Sequence, residues 1–395
     1  MSPIEGFRCD LCGGADADAV YAVPDSARKA EIAVCTGCGL VQSVYHAPKP
    51  EGRRVSISSA AGWGNIRHGK GLRLKATIPV LTAQIPLERV STVLDIGSNR
   101  GDFIHWLLGL RPHAAITAIE PDASVVATYR DLPQVGLAIA RFEDVAPEIA
   151  HARAPFDLVH CAHTLEHAAS ASAMLGQIYR SLKPGGHLFL EVPNLAILSD
   201  PEISEEFFID KHSFHFDRDL LVAFMTHLGF EILFVSPGDD ISNITVVATR
   251  SDQKPNPAPF RPAHPSRPVE TAALVRAYAE TLRLNRETLK RIADRLNALM
   301  ERQRVGFWGG GRIFDALVTF GGLRTDRIHV LVDAYIGRYV KEVHGIELSL
   351  PDALKAKLPQ VLVVLAKSST DDIIRQARSH GLTNVVTFSQ LYQSL

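Results

Sequence analysis

Between residues 91 and 250, short apolar runs alternate with amphipathic stretches. The runs fall at 91–96, 115–120, 135–140, 156–162, 186–193, 230–236 and 243–249. Apolar runs of this length read as buried strands, and three-and-four spacing between them reads as helix. Helices are predicted between the first five strands, and the last two runs form a strand pair. The pattern therefore predicts an α/β fold with a mostly parallel, Rossmann-like sheet and one antiparallel strand at its end. Ligands of such open sheets bind beyond the carboxyl ends of the strands, which makes every residue there a site candidate.

The same reading divides the rest of the chain. Residues 1–50 form a small module, and 51–250 hold the sheet just described. Residues 251–268 carry Pro255, Pro257, Pro259, Pro262, Pro265 and Pro268, a semi-rigid linker. Residues 269–395 are expected to form a long helix and a C-terminal Rossmann-like domain. The helix places Val275, Tyr278, Leu282, Leu289, Ile292, Leu296 and Leu299 on one side, with Asn285 as the polar seam position. Packing on its own domain is preferred over dimerisation, so the chain is expected to be a monomer or homodimer. After Val305-Gly306-Phe307-Trp308 comes the loop Gly309-Gly310-Gly311, and Asp333 closes the next strand, but Phe314 stands where a dinucleotide fingerprint needs its third glycine. Upstream, a helix from Leu72 to Gln84 follows the basic stretch 67–73, and it is read equally as a lid over the cofactor or as plain surface packing.

Composition narrows the class. The 395 residues are 46% hydrophobic and 22% charged, with 42 Lys and Arg against 43 Asp and Glu. That balance gives no reason to expect a nucleic-acid or membrane partner. No apolar run reaches membrane-spanning length and no basic-then-apolar leader opens the chain, so a cytoplasmic protein is expected. Four of the five cysteines fall in two pairs, Cys9/Cys12 and Cys35/Cys38, each a C-x-x-C followed by glycine. Four thiolates so spaced make a closed tetrahedral set suited to structural zinc, which a segment this short needs in order to fold.

Candidate chemistry lies at the strand ends. Asp95, Gly97, Asn99 and Gly101 sit in the loop Asp95-Ile96-Gly97-Ser98-Asn99-Arg100-Gly101, between the first strand and a helix. Glycines there let the backbone turn sharply and approach a ligand. The spacing is G-x-N-x-G, a poor match to the dinucleotide pattern. Glu120 ends the second strand, where it can accept two ribose hydroxyls. That pairing resembles the class I S-adenosylmethionine-dependent methyltransferases. The resemblance implies an adenine site after the third strand, where Glu143 or Asp144 would accept the adenine amino group. Phe142 would stack on the ring or else belong to the core. After strand four, His163 and His167 stand in Cys161-Ala162-His163-Thr164-Leu165-Glu166-His167. A second constellation, Phe207-Phe208-Ile209-Asp210-Lys211-His212-Ser213-Phe214-His215-Phe216, is expected to wall a small polar substrate.

The order of zinc module, methyltransferase domain, linker helix and second Rossmann-like unit resembles the sugar C-methyltransferase family. Its more specific points are Gly97-Ser98-Asn99-Arg100-Gly101 and Glu191-Val192-Pro193. The resemblance implies S-adenosylmethionine as cofactor, structural zinc, and a nucleotide-linked sugar as the small-molecule substrate. In that family a Glu-His pair after strand five supplies the base; here the matching positions read Lys211-His212. The family's His-Gly-Gly stretch is replaced by Asp239-Asp240-Ile241-Ser242-Asn243. His212 is the first candidate for the base, with His163 and His167 behind it, and Lys211 would steady a developing negative charge. Carbon and oxygen methylation stay open. The alternatives are a non-catalytic nucleotide-binding module and an NAD-dependent nucleotide-sugar enzyme using the 309–311 loop.

Overall fold

The structure, a computed structural model, describes residues 4, 6–48, 70–152, 155–251, 256, 258–262, 264–366 and 370–394. The basic stretch 67–73 lies outside the described residues apart from the backbone of its last four, and Pro255 and Pro257 lie outside them altogether. The chain divides into two compact units. One comprises Met1–Arg53, Leu72–Asp200 and Phe207–Tyr278, and the other Arg54–Gly71, Pro201–Glu206 and Ala279–Leu395.

The first unit opens with three antiparallel strands, β1 (Ala17–Ala22), β2 (Ala30–Cys35) and β3 (Val41–Tyr45). A helix, α1 (Lys70–Gln84), leads into the main sheet. Its strands are β4 (Thr92–Ile96), β5 (Ala115–Ile119), β6 (Val135–Ala138), β7 (Phe156–Ala162) and β8 (Leu182–Pro193). A two-residue strand, β9 (Phe214–His215), pairs with β3 instead, and β10 (Phe230–Val235) and β11 (Asn243–Arg250) complete the main sheet. The order is β10-β11-β8-β7-β4-β5-β6, with β11 antiparallel to both neighbours, which is the class I methyltransferase arrangement. The chain reverses its direction of growth between β4 and β7. The loops leaving those two strands therefore diverge, and a crevice opens at their carboxyl ends.

Helices α2 (Asp102–Leu110), α3 (Phe142–Ala152), α4 (Ala171–Ser181) and α5 (Arg218–His227) cover the sheet. The connection from β5 to β6 differs from expectation: Ala123–Tyr129 is a 3-10 segment capped by Asp122, not an α-helix. Its β-branched Val125 and Val126 and the short span favour the tighter turn. Alternation along the strands sorts the core into two layers. Leu94, Ile96, Val159, Cys161 and Leu190 face α4 and α5, while Val93, Ile116, Leu158 and Phe189 face α1 and α2. Asp217 caps α5 through the N–H groups of Asp219 and Leu220, and Gly229 leaves it at φ +95°.

The second unit holds most of the long helix α6 (Arg267–Met300), the division between the units falling inside it. Leu289, Ile292 and Leu296 enter its core. Asn285 is buried and donates to the carbonyls of Pro201 at 2.9 Å and Ile203 at 2.6 Å, so its amide is satisfied within this unit. The sheet is built on β12 (Val305–Trp308) and β13 (Val330–Val332). The Gly310 N–H reaches Asp333 Oδ2 at 3.0 Å, while Asp333 Oδ1 accepts from Tyr335 and Ile336. Phe314, at the place of a third dinucleotide glycine, is fully buried in the core of this unit.

Candidate active site

The loop after β4 is braced from three sides. Gly97 has φ +74°, and a Cβ there would lie 2.0 Å from Thr164 Oγ1, so glycine is required for the loops after β4 and β7 to touch. Gly101 has φ +81° and precedes α2. The Tyr129 hydroxyl donates to Ser98 Oγ at 2.7 Å and to the Asn99 carbonyl at 2.9 Å. Asn99 itself sits at φ +48° and donates its N–H to Glu120 Oε2 at 3.0 Å. Glu120 Oε1 accepts from Asp122 N at 2.8 Å, so the carboxylate is fixed at the end of β5. Burial pushes the Tyr129 hydroxyl well above its ordinary value, and Asp95, Glu120 and Asp102 push in the same direction against the Ser98 hydrogen bond. The loop is thus ringed by carboxylates.

Asp95 is 1% exposed and makes a 2.7 Å contact with His160 Nδ1. The His160 ring is sandwiched between Phe103 (3.8 Å between centroids, 5° between planes) and Phe189 (5.2 Å, 12°). Asp95 Oδ2 is buried and has no hydrogen-bond partner among the described residues. Phe142, left open between ring-stacking and core, is a core residue at 2% exposure. As the first residue of an amphipathic helix it turns inward. Glu143 Oε1 accepts from Ala169 N at 2.9 Å and so ties the start of α3 to the turn after β7, while Asp144 is exposed in the first turn of α3.

The turn after β7 carries a chain of ionisable groups. His163 lies at φ +51°, an uncommon region for a non-glycine residue. Its Nε2 is 2.8 Å from Glu191 Oε1 and its Nδ1 is 3.5 Å from Glu166 Oε1. With a carboxylate beside each of its nitrogens, the ring has no lone pair directed at a substrate. This removes His163 from the candidates for the base. Thr245 Oγ1 donates to Glu191 Oε2 at 3.3 Å, anchoring the far end of the chain. Glu166 is 1% exposed. Burial alone would raise its carboxyl, but the His163 hydrogen bond and the charges of His167, His163 and His212 hold it down at about 2. His167 donates from Nδ1 to the Lys211 carbonyl at 2.9 Å, with Nε2 at 3.8 Å from Glu166 Oε1.

His212 completes the cluster. Donor atoms of Glu166, His167 and His212 all lie within 4.8 Å of one another, and the His167 and His212 rings meet edge-on at 4.8 Å. We read this trio as a carboxylate–imidazole network, since Glu166 Oε1 already serves two histidines and His167 Nδ1 a carbonyl. The Lys211 side chain is exposed, and its carbonyl is what joins the cluster. The expected aromatic wall is corrected as well. Phe208, Phe214 and Phe216 are core residues, and Phe207 and Phe208 pack against His215 at 5.5 and 4.7 Å. Burial, with His212 nearby, pushes the His215 imidazole well below its ordinary value despite Glu166, so the ring is neutral.

Three residues of this region were not among the site candidates read from sequence: His160, Glu166 and His215. Glu166 left the clearest signal, an acid inside the run His163-Thr164-Leu165-Glu166-His167.

In the amino-terminal module the two knuckles fold alike. Gly13 N donates to the Cys9 carbonyl at 2.9 Å and Gly39 N to the Cys35 carbonyl at 2.8 Å, both glycines at positive φ. The sulfurs of Cys9 and Cys38 are 3.4 Å apart and those of Cys12 and Cys35 are 3.5 Å apart, with all four within 4.8 Å of one another. Four sulfurs at these separations fit the edges of a tetrahedral thiolate site.

Comparison with known proteins matches residues 68–235 to a family described as a methyltransferase domain, and the strand order of this stretch is that of the class I methyltransferase fold. A ubiquinone biosynthesis O-methyltransferase of Xylella fastidiosa (strain 9a5c) is 31% identical over 141 residues, covering 34% of this chain and 55% of the relative. A trans-aconitate 2-methyltransferase of Azoarcus sp. (strain BH72) is 29% identical over 114 residues, covering 29% and 43%. The chain thus spans about half the length of these relatives. Among solved structures, an S-adenosylmethionine-dependent methyltransferase from Mesorhizobium loti aligns at 16% identity and TM-score 0.35, covering 44% of this chain and 98% of that one. Human N-acetylserotonin methyltransferase, solved with its cofactor, aligns at 15% and 0.37, covering 51% and 60%.

Proposed function

We propose that the protein is an S-adenosylmethionine-dependent methyltransferase acting on a small molecule, with a nucleotide-linked sugar as the acceptor class. The observation that carries this reading is the set of carboxylates around the glycine loop: Asp95 near the end of β4, Asp102 at the start of α2, and Glu120 bound to the Asn99 N–H at 3.0 Å. Such a loop favours a ligand with sulfonium and ammonium charges and repels the pyrophosphate of a dinucleotide. The buried, unpartnered Asp95 Oδ2 fits an ammonium donor. Glu120 at the end of β5 is assigned to the ribose, and Glu143 or Asp144 to the adenine side.

Bound there, the cofactor supplies a methyl group on a sulfonium centre. The residues of this chain do the remaining work: they hold the acceptor in line with that group and take its proton. His212 is assigned as the base. Glu166 stands beside it, so the imidazolium formed on proton uptake has a buried counter-charge, and the His167 ring meets it edge-on. This arrangement serves a hydroxyl or a carbon next to a ketone equally. The names of the curated relatives include an O-methyltransferase, which favours oxygen; the four-part domain order favours a sugar. The four clustered thiolates are assigned to one structural zinc, a closed set with no position for substrate.

Incubation with S-adenosylmethionine and a panel of neutral sugars, nucleotide-linked sugars and phenols, read by mass spectrometry, tests the acceptor class. A methyl gain on a nucleotide-linked sugar supports the proposal. A gain confined to phenols would overturn the sugar assignment.

A further inference from the structure

The segment carrying His212 has little regular structure of its own, so something else must hold it. Its backbone is paired at β9, and the partner strand is β3 of the cysteine module: Val41 pairs with His215 and Gln42 with Phe214. Ser43 N then donates to the Ser213 carbonyl at 3.0 Å. Beyond the pairing, two hydroxyls from the module converge on one atom. Ser43 Oγ donates to the His212 carbonyl at 2.9 Å, and the Tyr45 hydroxyl reaches the same carbonyl at 3.0 Å and that of Asp210 at 3.1 Å. Because the Ser43 proton goes to His212, Ser43 Oγ is an acceptor for His215 Nε2 at 2.9 Å, which fixes the Nε2–H tautomer of that neutral ring. Arg28 clamps the Tyr45 ring from above at 3.4 Å, and its N–H, with Ser26 Oγ, binds the Asp210 carboxylate.

We infer that Ser43 and Tyr45 are positioning residues for the acceptor end of the site: they set the His212 imidazole through its own carbonyl. This rests on the assignment of His212 to the acceptor end. The cysteine module is then a wall of that site as well as a metal-stabilised appendage. Among the described residues, these hydroxyls make no hydrogen bond to the cofactor loop built from β4, β5 and Tyr129.

The test uses the full chain labelled with 13C-histidine, and the His212 Cε1–H resonance is identified by its loss in His212→Asn. Ser43→Ala and Tyr45→Phe should each shift and broaden that resonance, while the affinity for S-adenosylhomocysteine changes by less than about twofold. Ser43→Thr, which keeps the hydroxyl, should restore the wild-type position. With the acceptor found in the panel, the double variant should lose about tenfold or more in kcat/KM for acceptor, in keeping with two lost hydrogen bonds. An unmoved His212 resonance in both single variants would overturn the inference. So would a parallel loss of S-adenosylhomocysteine affinity, which would mean general damage to the fold. If the wild-type chain binds no S-adenosylhomocysteine, the methyltransferase reading fails on its own, and the resonance still reports whether the hydroxyls position His212.

Discussion

A carboxylate oxygen of Glu166 and a ring nitrogen of His212 lie within 4.8 Å of each other, although one belongs to the turn after β7 and the other to the segment before β9. Glu166 thus stands beside the imidazole across space rather than next to it in sequence. Lys211 can therefore occupy the adjacent position without leaving the imidazole uncompensated.

That pairing has a pH signature. Glu166 is held at about 2 against an ordinary value of 4.5. A depressed carboxylate contributes stability that is fully present above its unfolded value and is lost as pH falls through its folded value. Wild-type unfolding free energy should fall between pH 4.5 and about 2 by on the order of 3 kcal/mol from this group. Urea unfolding of Glu166→Gln across the same window should show a correspondingly shallower decline. Parallel curves for the two proteins would refute the role given to Glu166.

Glu120 accepts backbone N–H groups from Asn99 and Asp122 in addition to its proposed ribose contact. Alanine would loosen the loop, so glutamine is the cleaner probe. Losing hydrogen bonds to a charged acceptor costs roughly 1.5–3 kcal/mol, so Glu120→Gln should weaken S-adenosylhomocysteine binding by about tenfold or more. Calorimetric titration with unchanged affinity would rule the ribose assignment out.

Elemental analysis of purified protein should find one zinc per chain. Cys35→Ser removes one of four clustered thiolates, and this variant should lose metal and unfold its module at lower temperature, since the site supplies folding energy. A Cys35→Ser protein with full zinc content and wild-type melting would contradict the assignment.

His212→Asn should lower turnover by roughly 10²–10⁴-fold, as expected for loss of a general base, with S-adenosylhomocysteine affinity nearly unchanged. If turnover persists, the remaining candidate is His167, whose Nε2 faces the same cluster.

The glycine loop proposed to hold the cofactor was legible in sequence because its parts are contiguous. Strand, glycine loop and helix follow one another from Val93 to Phe103, and Glu120 is the next strand's last residue. The acceptor end was not. Whether Glu166 meets Lys211 or His212 depends on how β9 is held, and β9 pairs with a strand far upstream in the cysteine module. Periodicity does not encode such a contact. Phe208, Phe214 and Phe216 were misplaced for the same reason, since polar neighbours in sequence concealed that their side chains enter the core. His160 looked like any strand residue, and only its stacking between Phe103 and Phe189 marks it. The second glycine loop was readable as Rossmann-like from Gly309–Gly311 and Asp333, yet three backbone N–H groups already occupy that carboxylate.

The most direct measurement of the central claim is a calorimetric titration of the full chain with S-adenosylmethionine, S-adenosylhomocysteine and NAD. A carboxylate-ringed loop predicts one-to-one binding of both adenosyl sulfur ligands and no heat from NAD. The predicted order is tighter or equal binding of S-adenosylmethionine in the wild type, with the preference for its positive charge reduced in Asp95→Asn. Binding of NAD with no response to either adenosyl ligand would contradict the account.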